Sequence, residues 1–249
     1  MTNFRKITLT AFAAPLALAL SACGGTAADG EVAEAATVEP VAAPEGQEWT
    51  DVVNVSDYDG YILGNPDAAI KVVEYASLTC PACASFAMNG SEQLKSEYVN
   101  TGRVSYELRN QIHNGIDLVL ARLVRCGPKE AFHPRSDAVW ADLNNIMNGA
   151  QQNGQALQAA MELPEDQRFV ATAQAAGLYE FFGARGLGRD QAEQCLADAA
   201  SVSAIADNSN TQSQELGVTG TPTFFINGTK IDANSWTQIE PMLQRAGAR

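Results

Sequence analysis

Two thiols in Cys80-Pro81-Ala82-Cys83 stand where an apolar run, Ala69-Ile70-Lys71-Val72-Val73-Glu74-Tyr75, gives way to a helical segment from Ser85 onward. A strand feeding a helix in this way places Cys80 at the helix N-terminus. Unpaired N–H groups and the positive end of the macrodipole favour thiolate over thiol there. Thiols so placed titrate at roughly 3.5 to 7.5, against about 8.5 for a free cysteine. Cys80 is therefore the expected attacking thiolate, and Cys83, one turn on and on the same face, is the partner that closes a reversible disulfide. Pro81 costs the helix little, because the first turn does not use its N–H. A zinc site would need a second cysteine pair or two closely spaced histidines, and the two histidines, His113 and His133, each stand alone. Redox chemistry is the expectation, with no metal and no cofactor.

A second element lies far downstream. Thr219-Gly220-Thr221-Pro222-Thr223-Phe224-Phe225-Ile226-Asn227-Gly228-Thr229 reads as a turn, an apolar strand and an Asn-Gly hairpin turn. Pro222 either starts the strand or forms a cis peptide bond, and beside a strand–C-x-x-C–helix unit the cis reading is the one expected.

Taken together, Val72-Val73-Glu74-Tyr75, Cys80-Pro81-Ala82-Cys83 and Gly220-Thr221-Pro222-Thr223-Phe224 resemble the thioredoxin-fold thiol:disulfide oxidoreductases of the DsbA-like branch, over about residues 57–246. The resemblance implies an α/β architecture, a thioredoxin fold with an inserted α-helical domain. It also implies that Pro222 is a cis-proline facing the active-site disulfide, and that Thr221 helps to set redox behaviour and to bind substrate backbone. Glu74, six residues before Cys80, matches the family's buried acid that helps move protons during exchange. From the strand alone, a carboxyl in apolar surroundings is desolvated and its pKa raised. The other reading of Glu74 is an edge residue pointing to water. One departure is Ala82, where the best-known members carry His, so one source of thiolate stabilisation is missing and a less oxidising protein is expected.

The elements that must hold these groups occupy more chain than a minimal thioredoxin unit needs. A strand is read at Arg103-Val104-Ser105-Tyr106-Glu107-Leu108, and helices from Ile116 to about Ser209. Ile116, Leu118, Val119, Leu120, Leu123 and Val124 form one apolar face, and Ala138, Trp140, Leu143, Ile146 and Met147 another. Gly127-Pro128, Gly149, Leu163-Pro164 and Gly186-Leu187-Gly188 read as breaks. The first part of the thioredoxin fold is placed at 49–113, the helical insertion at 114–212, and the second part at 213–249. The insertion would wall one side of a substrate groove.

Upstream, Arg5 and Lys6 precede an apolar stretch from Ile7 to Leu20, too short to span a membrane comfortably and built like a secretory signal. Leu20-Ser21-Ala22-Cys23 resembles the bacterial lipobox. This implies a signal peptide at 1–22 and a lipid-bearing Cys23; an ordinary signal peptide with a chance cysteine is the other reading. Gly24 follows Cys23, not the Asp that resembles an inner-membrane retention signal, so the outer membrane, periplasmic face, is favoured. Residues 24–48, rich in Ala, Gly, Glu and Pro and without an aromatic until Trp49, read as a flexible linker.

With Cys23 lipidated and Cys80–Cys83 catalytic, Cys126 and Cys195 remain, and in an oxidising compartment they form the expected structural disulfide; two reduced thiols are the alternative. Either of His113 and His133 could approach the active site, but both read as exposed loop residues and are given no catalytic role. The net charge of −13 disfavours nucleic acid as a partner. The function expected is disulfide formation in unfolded or partly folded exported proteins, with a membrane redox partner. Alternatives are a reductase or isomerase of the same fold, or a metal-delivery protein using the C-x-x-C, for which Met88 is the one nearby soft ligand.

Overall fold

The apolar runs become six strands: β1 (Val53–Val55), β2 (Tyr61–Gly64), β3 (Ile70–Ala76), β4 (Val104–Asn110), β5 (Thr223–Ile226) and β6 (Thr229–Ile231). They form one sheet in the order β1-β2-β4-β3-β5-β6. Only β3 and β4 pair in parallel, with Val72 opposite Tyr106 and Glu74 opposite Leu108; every other neighbour is antiparallel. The computed structural model describes residues 30–249. The signal-like segment 1–22 and Cys23 lie outside the described residues.

A parallel pair requires a crossover, and the crossover carries the C-x-x-C motif at its head. Helix α1 (Pro81–Phe86) runs on through wide π-helical turns at Ala87–Ser91 and Leu94–Tyr98 and a tight turn at Val99–Thr101. Phe86 meets Phe224 of β5 edge-on, with centroids 4.7 Å apart. Such a pair contributes about 0.5–1.5 kcal/mol beyond its buried area, and here it locks the helix to the strand that follows Pro222. At the other end of that strand, Asn227 (φ 50°) and Gly228 (φ 81°) form the hairpin turn to β6, which needs positive φ at both positions.

The insertion consists of α2 (Gly115–Val124), α3 (Phe132–Ala141), α4 (Leu143–Gln152), α5 (Gly154–Met161), α6 (Glu165–Ala175), α7 (Leu178–Gly183), α8 (Arg189–Ala197) and α9 (Ala199–Leu216). Residues Val119, Leu120, Leu123 and Val124 of α2 are fully buried, as their spacing requires. A final helix, α10 (Trp236–Arg245), buries Ile239 and Leu243 in the same core as Val72, Cys83 and Phe86.

Several expectations are corrected. The insertion continues to Leu216, four residues past 212, because no breaker intervenes before Gly217, which caps α9 in the left-handed region. Gly149 lies inside α4, and the chain bends at Asn153 instead. The apolar face from Ala138 to Met147 is divided at Asp142 between α3 and α4. His133 is not in a loop. It is in the first turn of α3, where Pro134 is tolerated, and it is 3% exposed with Nε2 3.0 Å from the Tyr61 carbonyl. Burial pushes its pKa down to about 3, so the ring is neutral at physiological pH.

The expected flexible linker at 24–48 is docked over much of its described length. The amides of Ala35, Val38 and Val41 donate to the carbonyls of Arg245, Gly247 and Thr101, at 2.9, 2.9 and 3.0 Å. Return bonds run from Arg103 Nε to the Val38 carbonyl (2.7 Å) and from Trp49 Nε1 to that of Val41 (2.7 Å). Gly102 permits this approach, since a Cβ there would fall 2.4 Å from the Val41 oxygen. Backbone amides make most of these contacts, so a composition without periodicity does not exclude docking.

Candidate active site

Cys80 is the N-cap of α1, with extended backbone (φ −89°, ψ 120°) and Pro81 in the first turn behind it. Its sulfur accepts from the Cys83 N–H at 3.5 Å and lies 3.4 Å from the Thr221 carbonyl. The two sulfurs are unbonded, so the site is in its dithiol form. The Cys83 thiol donates to the Cys80 sulfur and is the largest influence lowering the Cys80 pKa, to about 5. Burial opposes this, while the Thr221 hydroxyl and the N–H groups of Cys83 and Ala82 reinforce it. Cys83 is wholly buried, and burial followed by its bond to Cys80 pushes its thiol far above the ordinary range. One turn of helix thus separates a thiolate from a thiol.

Thr221–Pro222 is the cis peptide bond among the described residues, and it carries Thr221 to Cys80. A polar groove of about 400 Å³ continues away from it, lined by Thr219, Thr223, Lys230, Asp232 and Gln238 among others. A larger groove of about 530 Å³ lies on the sheet around Tyr58, Tyr75, Glu107 and Arg109, and it does not include the cysteines.

Glu74 projects from β3 and is 1% exposed. Burial raises its pKa to about 8 against the opposing hydrogen bond from the Tyr106 hydroxyl, which donates to Oε2 at 2.5 Å. Oε1 has no partner. The Glu74 charge acts on the Cys83 thiol, so the acid and the buried sulfur share one electrostatic environment. This is a group able to hold or release a proton near neutral pH.

Sequence reasoning missed the cluster that holds the C-x-x-C loop to the insertion. Asp117, fully buried in the first turn of α2, accepts from the Leu78 N–H through Oδ1 and from the His113 N–H through Oδ2, both at 2.9 Å. Asn114 caps α2 by accepting from the Asp117 N–H (2.9 Å), and its side-chain amide donates to Thr79 Oγ1 (3.0 Å). Trp140 Nε1 donates to the Ser77 carbonyl at 3.0 Å. The available signal was Asn114 three residues before Asp117 at the head of an apolar helix, a variant of the capping box. His113 is exposed as expected, yet its Nε2 lies 3.2 Å from Thr221 Oγ1.

Cys126 and Cys195 are joined across the insertion, with Cα atoms 6.2 Å apart. Among the described residues no group of three or more His, Cys, Asp or Glu is arranged to hold a metal. No described helix is long and apolar enough to cross a membrane.

The Thioredoxin family profile matches residues 56–245. A protein of Rickettsia bellii named as a candidate protein-disulfide oxidoreductase is 26% identical over 190 residues, 76% of this chain and 65% of that protein. The chain therefore spans just under two thirds of the length of that relative. Among solved structures, a protein-disulfide isomerase from Novosphingobium aromaticivorans is 28% identical, covering 74% of this chain and 96% of its own, with a TM-score of 0.69. The α-DsbA1 protein of Wolbachia pipientis shares the fold at 23% identity, 76% and 92% coverage and a TM-score of 0.61.

Proposed function

From the premise that this chain belongs to the thioredoxin family, as a DsbA-like member, we propose that it forms disulfides in exported proteins by exchange through Cys80 and Cys83. The observation that carries this reading is the asymmetry of the two sulfurs. Cys80 is held as a thiolate by donors from its own helix and from Thr221, and Cys83 is kept protonated by burial.

In the oxidase direction, a substrate thiolate attacks the Cys80 sulfur of the Cys80–Cys83 disulfide. The S–S bond breaks, its electron pair stays on Cys83, and a mixed disulfide forms. The Cys83 sulfur is too desolvated to remain charged, and Glu74, titrating near 8, is the buried acid suited to supply its proton. A second substrate thiolate then attacks the substrate sulfur of the mixed disulfide, and Cys80 leaves as the stabilised thiolate. The client has lost two electrons and the enzyme has gained them. A low leaving-group pKa speeds this last step. Substrate backbone lies along Thr221 and Pro222, and a membrane partner removes the two electrons from the reduced enzyme.

The relative named as an isomerase supports a second direction, in which the reduced Cys80 thiolate attacks client disulfides. Equilibration with glutathione buffers decides between them. A reduction potential near −120 mV supports the oxidase, and one near −270 mV withdraws it in favour of a reductase. For location, the signal-like segment and Cys23 support a periplasmic lipoprotein on the outer membrane. Incorporation of labelled palmitate into the wild type but not Cys23→Ser is the corresponding test.

A further inference from the structure

Exchange at Cys80 as proposed above gives no task to His113, although the fold fixes its position from two sides. Its backbone N–H is held by the buried Asp117, and its ring Nε2 lies 3.2 Å from the Thr221 hydroxyl. That hydroxyl belongs to the residue whose carbonyl lies 3.4 Å from the Cys80 sulfur, and it is one of the groups that favour the Cys80 thiolate. A threonine hydroxyl carries a single hydrogen. When Nε2 accepts that hydrogen, it is directed at the ring and the sulfur loses a donor. When Nε2 carries its own hydrogen, the ring donates to Oγ1 and the hydroxyl hydrogen is free to point at the sulfur.

We propose that His113 is a positioning residue of the redox site, whose Nε2–H turns the Thr221 hydroxyl onto the Cys80 sulfur and so stabilises the reduced enzyme. The proposal rests on the reading of Cys80 as the exchanging thiol. An imidazole donor then acts from the far wall of the site, where Ala82 leaves none within the motif. The charged group facing His113 from α2 is Asp117, whose own carboxyl feels the ring, and the group facing it from the head of α1, through Thr221, is Cys80. The arrangement also makes the insertion a contributor to redox tuning, since Asp117 belongs to α2.

The test uses the mature protein, with His113→Ala, His113→Gln, Thr221→Val and the double variant His113→Ala/Thr221→Val. Each is equilibrated with glutathione, and its thiolate is titrated by absorbance at 240 nm. Expected for His113→Ala is an equilibrium about fivefold less favourable to the reduced enzyme, roughly 20 mV at 29.6 mV per decade, with the thiolate titration moved to higher pH. His113→Gln, which keeps a donor without a ring, restores most of the shift. In the Thr221→Val background, removal of His113 has no further effect, because the hydroxyl it orients is gone. Values for His113→Ala within 1.5-fold of wild type would overturn the proposal, as would an equal shift in both backgrounds. Thermal unfolding of the oxidised forms shows that a purely structural change is not being read. If the wild type itself forms no disulfide with glutathione, the reading of Cys80 fails; if it exchanges normally and His113→Ala matches it, only the role of His113 fails.

Discussion

The chain holds two cysteine pairs in opposite settings. Cys80 stands at the N-terminal end of a helix, where N–H groups converge on its sulfur. Cys126 follows the C-terminal end of α2, and its sulfur lies 3.3 Å from the Arg122 carbonyl. An N-terminus stabilises a thiolate and a C-terminus does not. The first pair is three residues apart and lies beside Thr221, which lines the polar groove, with the buried Glu74 nearby in the same electrostatic environment. The second spans 69 residues, and Cys126 is 1% exposed. On the proposed reading, the same bond is an exchangeable group in one place and a brace in the other.

The comparison breaks most visibly by removing one pair at a time. Cys80→Ser abolishes catalysed oxidation of a reduced, unfolded client, whereas Cys126→Ala/Cys195→Ala retains it within about twofold. The brace variant instead loses about 4 kcal/mol of folding stability by the chain-entropy argument for a loop of 69 residues, measured by urea unfolding. Exchange activity lost only in the second variant would reverse the assignment.

Glu74 sharpens the contrast, because its charge acts on the Cys83 thiol. Its carboxyl titrates near 8 in the folded protein against an ordinary value of 4.5. Between those values the folded state binds a proton that the unfolded state lacks, so this group costs stability progressively as pH rises from about 4.5 to 8. Glu74→Gln is therefore more stable than wild type at pH 8, with the difference vanishing near pH 4.5, and it slows exchange severalfold at pH 7. A stability difference that does not change across that range would place the carboxylate in water.

Cys80 has the opposite sign. Its pKa falls to about 5 from 9.0, so the reduced form gains stability as pH rises from about 5 to 9 and loses it as pH falls through 5. Thermal unfolding of the reduced and oxidised forms across that range should show the reduced form gaining on the oxidised. Ala82→His is the smallest expected change: an imidazolium beside the Cys80 thiolate shifts the glutathione equilibrium about two- to fivefold toward the reduced enzyme.

What the sequence disclosed was local. A strand, a C-x-x-C and a helix announce themselves in one stretch from Ile70 to Phe86, and Asn227-Gly228 fixes its own turn. Pro222 was readable as a cis-proline only in company with the strand–C-x-x-C–helix unit, since a proline before an apolar strand can also simply start it. Hidden features depended on long-range approach. Nothing around His113 signals that residue 221 comes to meet it, and Pro134 after His133 looks like a turn until α3 accommodates it in its first turn. Residues 32–41 have the composition of a linker because their attachment uses amides, which every residue except proline possesses.

That attachment also gives the molecule a front and a back. The strand of chain arriving from the N-terminus fastens beside Thr101 and Gly247. Thr101 closes the helical run that begins at Pro81, so about twenty residues of helical chain separate this mooring from Cys80. Were the chain held through a lipid on Cys23, as proposed, it would be gripped at one end of that run and carry its reactive sulfur at the other.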